Sequence, residues 1–481
     1  MTGSSCLHGP QLGPQTSRIT GTPERSTSAS KFLSSTCTGI FLEAPKILER
    51  NPMGRSRSGP RARKRPRCGH DGVARRPAAR QKTPHSPMSR EPVLTRPFLL
   101  AATANLLHGM AIFSFLHLPG FVEELGATPA VVGIVFGTLS GAAIVVRPFA
   151  GRIMDTAGRR IVALAAGAVH VVACLLYLTV HEVGPWIFVV RCIHGFAQGA
   201  LFSVLFTYAA DVVPASRRSE GIGYFGIAGI LPMALGGLMG DFVLAHADYP
   251  TLFVVCAGVA LVALLITVPL PEPERERDTE PRGFFAALGQ ADLVPIWVVG
   301  SFFSLALAGI FTFLKNFLAQ EDFGSTGLFF ASYSATTIAL RAGLGWLPDR
   351  VGPLKVFYPS MVAFSGASIA LSLAQGVPGL AMAGALAGCG HGFVFPILST
   401  LVVERANPAD RGSAISLFTA VFDVGLFLGG PVLGWVAGPT GDYRFMYLVG
   451  ATLPIVGLTI FHLWDPRVRP APEREAASLD R

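Results

Sequence analysis

From Arg96 to about residue 464, the chain alternates long apolar runs with short polar loops. The hydrocarbon core of a bilayer is about 30 Å thick and needs about 20 apolar residues per helix. Transmembrane strands would instead alternate polar and apolar positions over about 10 residues, and we find no such pattern. Because helices satisfy their own backbone hydrogen bonds in lipid, the pattern predicts an all-α membrane protein. Twelve transmembrane helices are predicted, over residues 96–119, 129–149, 161–180, 186–210, 221–245, 251–269, 292–317, 326–346, 356–374, 379–403, 413–437 and 444–464.

The composition supports lipid as the solvent of this region. Of the 481 residues, 51% are hydrophobic and only 14% are charged, whereas soluble proteins carry about 25% charged residues. The positive charge is concentrated near the N-terminus: residues 1–95 contain 17 Lys and Arg against 5 Asp and Glu, a net of +12. The remainder contains 22 against 25, a net of −3, so the predicted membrane body is nearly neutral.

Residues 1–95 are predicted to form a disordered basic extension. They are rich in Ser, Pro, Gly and Arg without apolar periodicity, so they cannot bury enough apolar surface to offset the entropy of ordering. No apolar stretch typical of a signal peptide follows the charges. The run from Arg61 to Arg67 resembles a nucleic-acid patch, but the disordered extension is favoured and no nucleic-acid partner is expected. We predict that the physiological start is Met88, just ahead of the first apolar run.

The loops alternate in charge along the chain. Every second loop is basic, and these loops include Arg152, Arg159, Arg160, Arg217, Arg218, Arg275, Arg277, Arg282, Arg350, Lys355, Arg405 and Arg411. The other loops are mostly acidic, with Glu123, Glu124, Glu182, Asp248, Glu321, Asp322 and Asp442. We name the two membrane sides the basic face and the opposite face. Because cytoplasmic loops carry an excess of Lys and Arg, both termini are predicted to be cytoplasmic in a multi-pass protein of the plasma (inner) membrane.

A short charged segment occurs twice. Arg147, Gly151, Asp155 and Gly158 recur 194 residues later as Arg341, Gly345, Asp349 and Gly352. Further pairs follow in the same order: Phe113–His117 with Phe311–Lys315, Glu123–Gly126 with Glu321–Gly324, His194 with His391, and Pro214 with Pro408. These repeats predict an N-terminal six-helix bundle at 96–270, a cytoplasmic linker at 271–291, a C-terminal six-helix bundle at 292–466 and a tail at 467–481. Repeated halves of this kind are typical of secondary transporters.

The first copy of this segment resembles a family motif. Gly151-x3-Asp155-x2-Gly158-Arg159-Arg160, after the second predicted helix, is similar to motif A of the major facilitator superfamily. Arg191, followed by Gly195 and Gly199, resembles motif B of that family. The resemblance covers residues 96–465, and its Arg-Pro-x-x-Gly context is similar to small-solute efflux permeases of the sugar-efflux and multidrug type. It implies two pseudo-symmetric bundles, with the substrate bound between them.

The resemblance also implies a gate at the basic face. A carboxylate at Asp155 would face the N-terminus of the eleventh helix, where the helix dipole favours an anion. The alternative is that the basic residues of this loop only set the topology. The predicted gating residues are Arg147, Gly151, Asp155, Gly158, Arg159, Arg160, Gly345, Asp349, Arg350 and Gly352. The second copy lacks the Arg pair that follows Gly158, so the stronger gate is predicted in the N-terminal half.

Two charged residues lie inside predicted helices and are candidates for proton coupling or substrate binding. Arg191 lies about 8 Å into the fourth helix from the opposite face, and Asp423 lies about 15 Å into the eleventh. Charged groups at membrane depth are costly and are therefore candidates for function. Desolvation disfavours the ionised carboxylate, which suits a group that binds and releases a proton. The alternatives are that Arg191 extends to the interface and that a nearby Ser or Thr satisfies Asp423.

Other polar residues at helix depth form a possible cavity set, although each alone is more often an interhelical hydrogen bond. They are Asn105, His108, His117, His194, Gln198, Tyr208, Lys315, Tyr333 and His391. The seven cysteines form no CxxC pair, so they are interpreted as packing residues, and no metal or cofactor is predicted. Glycines at Gly229, Gly236, Gly237 and Gly240, and at Gly425, Gly429, Gly430 and Gly434, predict close helix packing.

The sequence therefore predicts a secondary transporter with alternating access, and not an enzyme, since no Walker A or Gly-x-Ser-x-Gly motif is present. We expect a small organic substrate, a proton as coupling ion, the lipid bilayer as surroundings and a monomeric state. Proton-coupled efflux is the favoured direction. Two alternatives stay open: a proton symporter that imports a metabolite, and a sensor or assembly factor of the same fold without flux.

Overall fold

The computed structural model describes residues 92–214, 217–273, 285–407 and 410–465. Several predictions on the sequence fall outside these residues, among them most of the basic extension with Arg61 to Arg67 and Met88, the charged centre of the linker, Pro408 and the tail. Within the described residues there are twelve long helices. They are α1 Arg96–Ser114, α2 Pro129–Thr156, α3 Arg159–Leu176, α4 Pro185–Val212, α5 Arg218–His246, α6 Tyr249–Thr267, α7 Val294–Glu321, α8 Thr326–Leu344, α9 Pro353–Leu373, α10 Val377–Arg405, α11 Arg411–Ala437 and α12 Tyr443–Trp464.

The prediction of an all-α membrane protein with twelve helices is confirmed. Eleven of the described spans are long and apolar enough to cross a membrane. The remaining long helix, α8, has 19 residues but is less apolar, because it carries several Ser and Thr and also Arg341. Short elements extend the predicted bounds: a 3₁₀ turn at Phe115–His117 and a helix at Leu118–Glu124 continue α1 towards the opposite face, and a helix at Leu347–Val351 follows α8.

Local sequence determines where the helices begin. The side chains of Ser325, Asp248 and Asp442 accept hydrogen bonds from the first-turn amides of α8, α6 and α12. The repeated charged segment ends at a glycine in each half, and both glycines have positive φ, 116° at Gly158 and 101° at Gly352. Each of them immediately precedes the first residue of a helix, α3 or α9. The motif therefore needs glycine at this position because other residues rarely adopt that conformation.

Helices α1–α6 and α7–α12 form two bundles that pack in the same order. In the first, α2 packs on α4 and α1 on α5; in the second, α8 packs on α10 and α7 on α11. Buried aromatic rings fill each bundle. Phe115, Tyr177 and Phe253 contact one another in the first, and Phe303 contacts Phe364 and Phe422 in the second. Most contacts between the bundles come from two helix pairs, α2 with α11 and α5 with α8.

Both inter-bundle pairs cross at glycines near the opposite face. A Cβ atom on Gly133 would lie 2.1 Å from the carbonyl oxygen of Gly430, and one on Gly237 would lie 3.0 Å from the Cα of Gly327. Asn316 of α7 donates to Glu123 in the same region. Nearer the basic face, a Cβ on Gly151 of α2 or on Gly343 of α8 would meet nothing within 4 Å. The contacts described here thus lie between the membrane centre and the opposite face.

Candidate functional site

An ion pair connects the two bundles near the middle of the membrane. Arg147 of α2 and Asp423 of α11 approach to 2.6 Å between Nη2 and Oδ2, and Nε donates to the same oxygen at 2.7 Å. Asp423 is 12 residues beyond Arg411, which is about 18 Å of helix rise from the basic end of α11. The side chains are only 11% and 13% exposed. An ion pair at this depth is a candidate site because charged groups inside a membrane are costly unless they are paired.

Residues of α4 hold the guanidinium of Arg147. The guanidinium carbon of Arg147 lies 5.4 Å from the ring centroid of Phe202, and its Nη1 donates to the hydroxyl of Ser203 at 3.4 Å. On the acid, both contacts use Oδ2, so Oδ1 of Asp423 has no hydrogen-bond partner among the described residues. The carboxylate therefore retains an oxygen that can accept a proton or bind a ligand.

The sequence identified both members of this pair but did not pair them. Arg147 was expected in the gating loop, and a nearby Ser or Thr was the alternative explanation for Asp423. The structure instead gives Asp423 an arginine partner 276 positions away along the chain. This pairing arises because α2 and α11 cross closely at Gly133 and Gly430, further towards the opposite face.

Arg191, the other intramembrane charge, has a different environment. It is 1% exposed, so it does not extend to the interface, and that alternative is wrong. Its guanidinium donates to the backbone carbonyls of Val135 and Phe136 in α2, at 3.0 and 2.8 Å, and to the hydroxyl of Tyr177 at 3.2 Å. These contacts bind α4 to α2 inside one bundle. They favour a role in packing, and among the described residues Arg191 forms no ion pair with an acid.

In the gating loop at the basic face, Arg159 and Arg160 contact other parts of the first bundle. Arg159 pairs with Asp155 at 3.2 Å and with Asp211 of α4 at 3.1 Å. The carboxylate of Glu272, after α6, accepts hydrogen bonds from the backbone amides of Arg159 and Arg160 at 2.7 and 2.9 Å. The predicted partner of Asp155, the N-terminus of α11, is not among these contacts. Asp211, at the basic end of α4, is part of this network although it is not among the predicted gating residues.

The second copy of the motif has fewer contacts. Asp349 forms no ion pair or hydrogen bond within the described part of the chain. Arg350 lies over the ring of Trp346, at 5.5 Å from its centroid. The positions that would match Glu272 lie after Asp465 and are outside the described residues. The two copies share a backbone conformation but differ in their side-chain contacts.

A second polar contact joins the bundles at the opposite face, and sequence reasoning missed its central residue. Asp241 of α5 accepts from the amide of Gly327, in the first turn of α8, at 2.6 Å. Its other oxygen lies 2.8 Å from Nε2 of His117. Lys315 and Ser325 line the adjoining cleft. The signal in the sequence was an acid directly after the glycine series that ends at Gly240.

The structure brings only parts of the predicted cavity set together: Tyr333 contacts His391, and His108 and His194 both contact the ring of His170. Its members take part in separate contacts: His108 with His170, His194 with Tyr177, Asn105 with the carbonyl of Ala228, Tyr208 with that of Pro271, and Tyr333 with His391. His117 and Lys315 lie at the opposite face near Asp241, and the side-chain oxygen of Gln198 is buried with no hydrogen-bond partner among the described residues. Most of these residues therefore hold helices together within one bundle.

Comparison with known families identifies the chain. The sequence model of the Major Facilitator Superfamily matches residues 98–339 and 296–480, which covers both bundles. The chain belongs to the major facilitator superfamily. It is accordingly a multi-pass integral membrane protein of a family of secondary transporters, as the sequence predicted.

Known members of the major facilitator superfamily resemble the chain over most of its length. It is 28% identical to the uncharacterised MFS-type transporter YhhS of Escherichia coli (strain K12) over 377 residues, 75% of this chain and 90% of that protein. The crystal structure of the nucleoside transporter NupG superposes with a TM-score of 0.62 at 17% identity, and covers 77% of this chain and 100% of that chain. The human organic anion transporter MFSD10 gives a TM-score of 0.57 at 17% identity, with 76% and 99% coverage. These structural similarities concern the fold.

Within the major facilitator fold, the contacts described above define a conformation. The bundles meet at Gly133–Gly430, at Gly237–Gly327 and at Asp241, all towards the opposite face. At the basic face, Arg159 of the gating loop contacts Asp211 and Glu272 of its own half. The protein is therefore closed at the opposite face, and the Arg147–Asp423 pair lies on the basic side of that closure.

Proposed function

We propose that this chain is a proton-coupled exporter of a small organic solute and that Asp423 carries the proton. The observation that supports this most is the Arg147–Asp423 ion pair, because it joins the two bundles at membrane depth and has a titratable member. A proton on Asp423 removes the charge that attracts Arg147. The state of this carboxyl group then controls how firmly the bundles are held together.

In this proposal, the Arg147–Asp423 pair couples the movement of a proton to the movement of substrate in the opposite direction. While Asp423 is ionised, the ion pair holds α2 against α11 and keeps the opposite face closed. Protonation of Asp423 breaks the pair, and so does a substrate cation that binds its free oxygen Oδ1. Proton and substrate therefore compete for one carboxylate. The carrier in which Asp423 is ionised and has bound neither ligand stays closed at the opposite face. Obligatory exchange of this kind favours an antiporter over a symporter, in which both ligands must be bound at once.

The proposal includes an orientation and a location. With the basic face in the cytoplasm, as the loop charges favour, both termini are cytoplasmic and the site faces the cytoplasm in this conformation. A substrate then enters from the cytoplasm and leaves after the opposite face opens. The network of Asp155, Arg159 and Asp211 lies where it would close the basic face in that second state.

The experiment uses purified protein in proteoliposomes filled with a pH-sensitive dye. A thermal-shift screen of organic cations, organic anions and sugars first identifies compounds that raise the melting temperature. Each hit is then added on one side, and proton flux is recorded for the wild type and for Asp423→Asn. We expect the hit to drive protons in the opposite direction in the wild type and at least tenfold more slowly in the variant.

Other results would overturn parts of the proposal. Proton movement in the same direction as the hit would identify a symporter. Undiminished coupling in Asp423→Asn would exclude this residue as the proton carrier. Hits that bind but drive no flux of proton or solute, in either direction of the pH gradient, would favour a sensor of the same fold.

A further inference from the structure

The first bundle contains a buried cluster of metal-ligating side chains that the transport site does not use. His170 and Cys174 of α3 and His194 of α4 each offer one ligand atom, and these atoms lie within 4.8 Å of one another. All three residues have 0% exposure. His170 and Cys174 are four residues apart and so share one helix face. The cluster lies inside α1–α6 and not between the bundles, so it is separate from Arg147 and Asp423.

The hydrogen bonds of the histidines leave one nitrogen free on each ring. Nδ1 of His194 lies 3.2 Å from the hydroxyl of Tyr177, and Nδ1 of His170 lies 3.1 Å from Nδ1 of His108. The Nε2 atoms of His108, His170 and His194 are buried with no partner among the described residues. Buried polar atoms are nearly always satisfied, and a bound ligand would satisfy the two nitrogens that belong to the cluster, those of His170 and His194.

One arrangement of the same hydrogen bonds leaves the Nε2 lone pairs of His170 and His194 available to a metal. If Nδ1–H of His194 donates to Tyr177, the lone pair of its Nε2 is available to a metal. If Nδ1–H of His170 donates to His108, the same holds for His170. Metal-bound histidines usually donate their second nitrogen to such a partner, which orients the ring. Arg191 donates to the Tyr177 hydroxyl at 3.2 Å and so fixes the phenol in place.

We propose that His170, Cys174 and His194 form a binding site for a monovalent soft metal ion, Cu⁺. Thiolate and imidazole are the ligand types that suit copper and zinc. Charge decides between them: Cu⁺ with one thiolate and two neutral imidazoles is neutral overall, whereas Zn²⁺ would leave a positive charge beside Arg191 in a low-dielectric interior. Binding releases the thiol proton and forms the Cu–S bond without any change of oxidation state.

The geometry needs only a small adjustment. Three ligands at metal distances of about 2.0 to 2.3 Å lie about 3.5 Å apart around a shared ion. The rings of His170 and His194 are stacked with centroids 5.1 Å apart, so rotations of the side chains can bring the ligand atoms together. Because no member of the cluster is exposed, copper has to enter while the bundle folds.

The test measures metal content and not transport. The full chain is produced in cells supplied with copper or with zinc, purified in detergent, and dialysed against a Cu⁺ chelator or a Zn²⁺ chelator. We expect one copper ion per chain, with one sulfur and two nitrogen ligands by X-ray absorption. Cys174→Ser should lower the copper content at least tenfold. Cys389→Ser, which removes a cysteine of the second bundle, should leave it unchanged.

Several outcomes would overturn the proposal. They are wild-type protein without copper, copper that persists in Cys174→Ser, equal loss in Cys389→Ser, and zinc retained where copper is not. The absorption spectrum of the wild type tests the ligand set even if the Cys174 variant fails to fold.

Discussion

The contacts α2–α11 and α5–α8 join the same two bundles and are related by the internal repeat. Gly133 and Gly327 are 194 residues apart, and Gly237 and Gly430 are 193 apart. The contacts are Gly133 with Gly430 and Gly327 with Gly237, so each contact is the repeat of the other. Each brings two backbones together near the opposite face. The repeat therefore provides two equivalent crossings, as the predicted glycine packing suggested.

The two crossings differ in charge. Arg341 of α8 is the repeat of Arg147, but it donates to the carbonyl of Gly392 at 3.1 Å and forms no ion pair among the described residues. The part of α5 that corresponds to Asp423, around Gly229, contains no acid. Conversely, α5 carries Asp241 near the opposite face, where α11 has Gly434.

The difference assigns separate roles to equivalent contacts. In α2–α11, a titratable pair lies at membrane depth, where protonation can change the attraction between the bundles. In α5–α8, the acid lies near the opposite face and binds the start of a helix, which suits a contact that closes that face. Of the two contacts, only α2–α11 pairs an arginine of one bundle with a carboxylate of the other among the described residues, so we expect the coupling chemistry there.

The largest effect is expected from breaking the ion pair. Asp423→Asn leaves Arg147 buried without a counter-charge, and removing one partner of a buried pair costs about 3–5 kcal/mol. We expect a clear fall in the melting temperature of the purified protein. Spin labels at Glu182 and Gln375, in the two equivalent opposite-face loops, should show a shift towards longer distances.

The matched control for this prediction is the double variant Arg147→Leu/Asp423→Leu, which removes both charges. It should recover much of the lost stability without recovering proton coupling. If Asp423→Asn and the double variant melted at the same temperature as the wild type, the pair would contribute nothing to the closed state.

The next effect comes from the glycine crossings. Gly133→Ala places a methyl group against the carbonyl of Gly430, whereas Gly237→Ala meets its nearest atom at 3.0 Å. Overpacking typically costs about 1–3 kcal/mol, and we expect the Gly133 variant to lie at the upper end and Gly237 at the lower. The distance between the spin labels and the melting temperature are measured for both variants.

Gly258→Ala is the control for the added methyl group, because a Cβ there meets nothing within 4 Å. Its melting temperature should equal or exceed that of the wild type. Equal losses for Gly133→Ala and Gly237→Ala would show that the crossings are equally tight, contrary to the geometry.

A smaller effect is expected at Asp241. Asp241→Ala removes an acceptor from the first turn of α8, and loss of such a cap typically costs about 1 kcal/mol. Asp241→Asn retains an acceptor and loses only the charge, which is worth about 0.3–1 kcal/mol at a helix N-terminus. We therefore expect the label distance to lengthen more in the Ala variant than in the Asn variant. The reverse order would mean that the charge beside His117 matters more than the cap.

The fold could be predicted from the sequence because lipid imposes a simple rule on helix length and polarity. The number of helices is confirmed, and the repeats at Gly158 and Gly352 correspond to matching backbone conformations. The pairing of Arg147 with Asp423 could not be predicted, since it depends on which helices cross and at what depth. Arg191 illustrates the same limit: its depth was visible, but its carbonyl partners in α2 were not.

The histidine cluster was partly visible. His170 and Cys174 have the spacing of one helical turn, which is a usable signal, but they do not form the CxxC pair on which the prediction of no metal was based. His194 joins them through the packing of α3 on α4, which spacing alone cannot show. Ligands that lie on one helix can therefore be predicted from their spacing, whereas a ligand that a second helix supplies cannot.

The smallest expected effect comes from giving the second crossing the charge that it lacks. A Cβ on Gly226 would lie 3.7 Å from Nη1 of Arg341, so Gly226→Asp places a carboxylate within reach of this arginine. A new, partly exposed pair contributes about 1 kcal/mol or less. In the Asp423→Asn background, we expect Gly226→Asp to shorten the distance between the spin labels part of the way back to its wild-type value without restoring proton coupling. Gly223→Asp, one turn earlier in α5 and with nothing within 4 Å, should restore neither. If both acids acted alike, charge at α5–α8 would not hold the bundles together, and the separation of roles between the two crossings would rest on Arg147 and Asp423 alone.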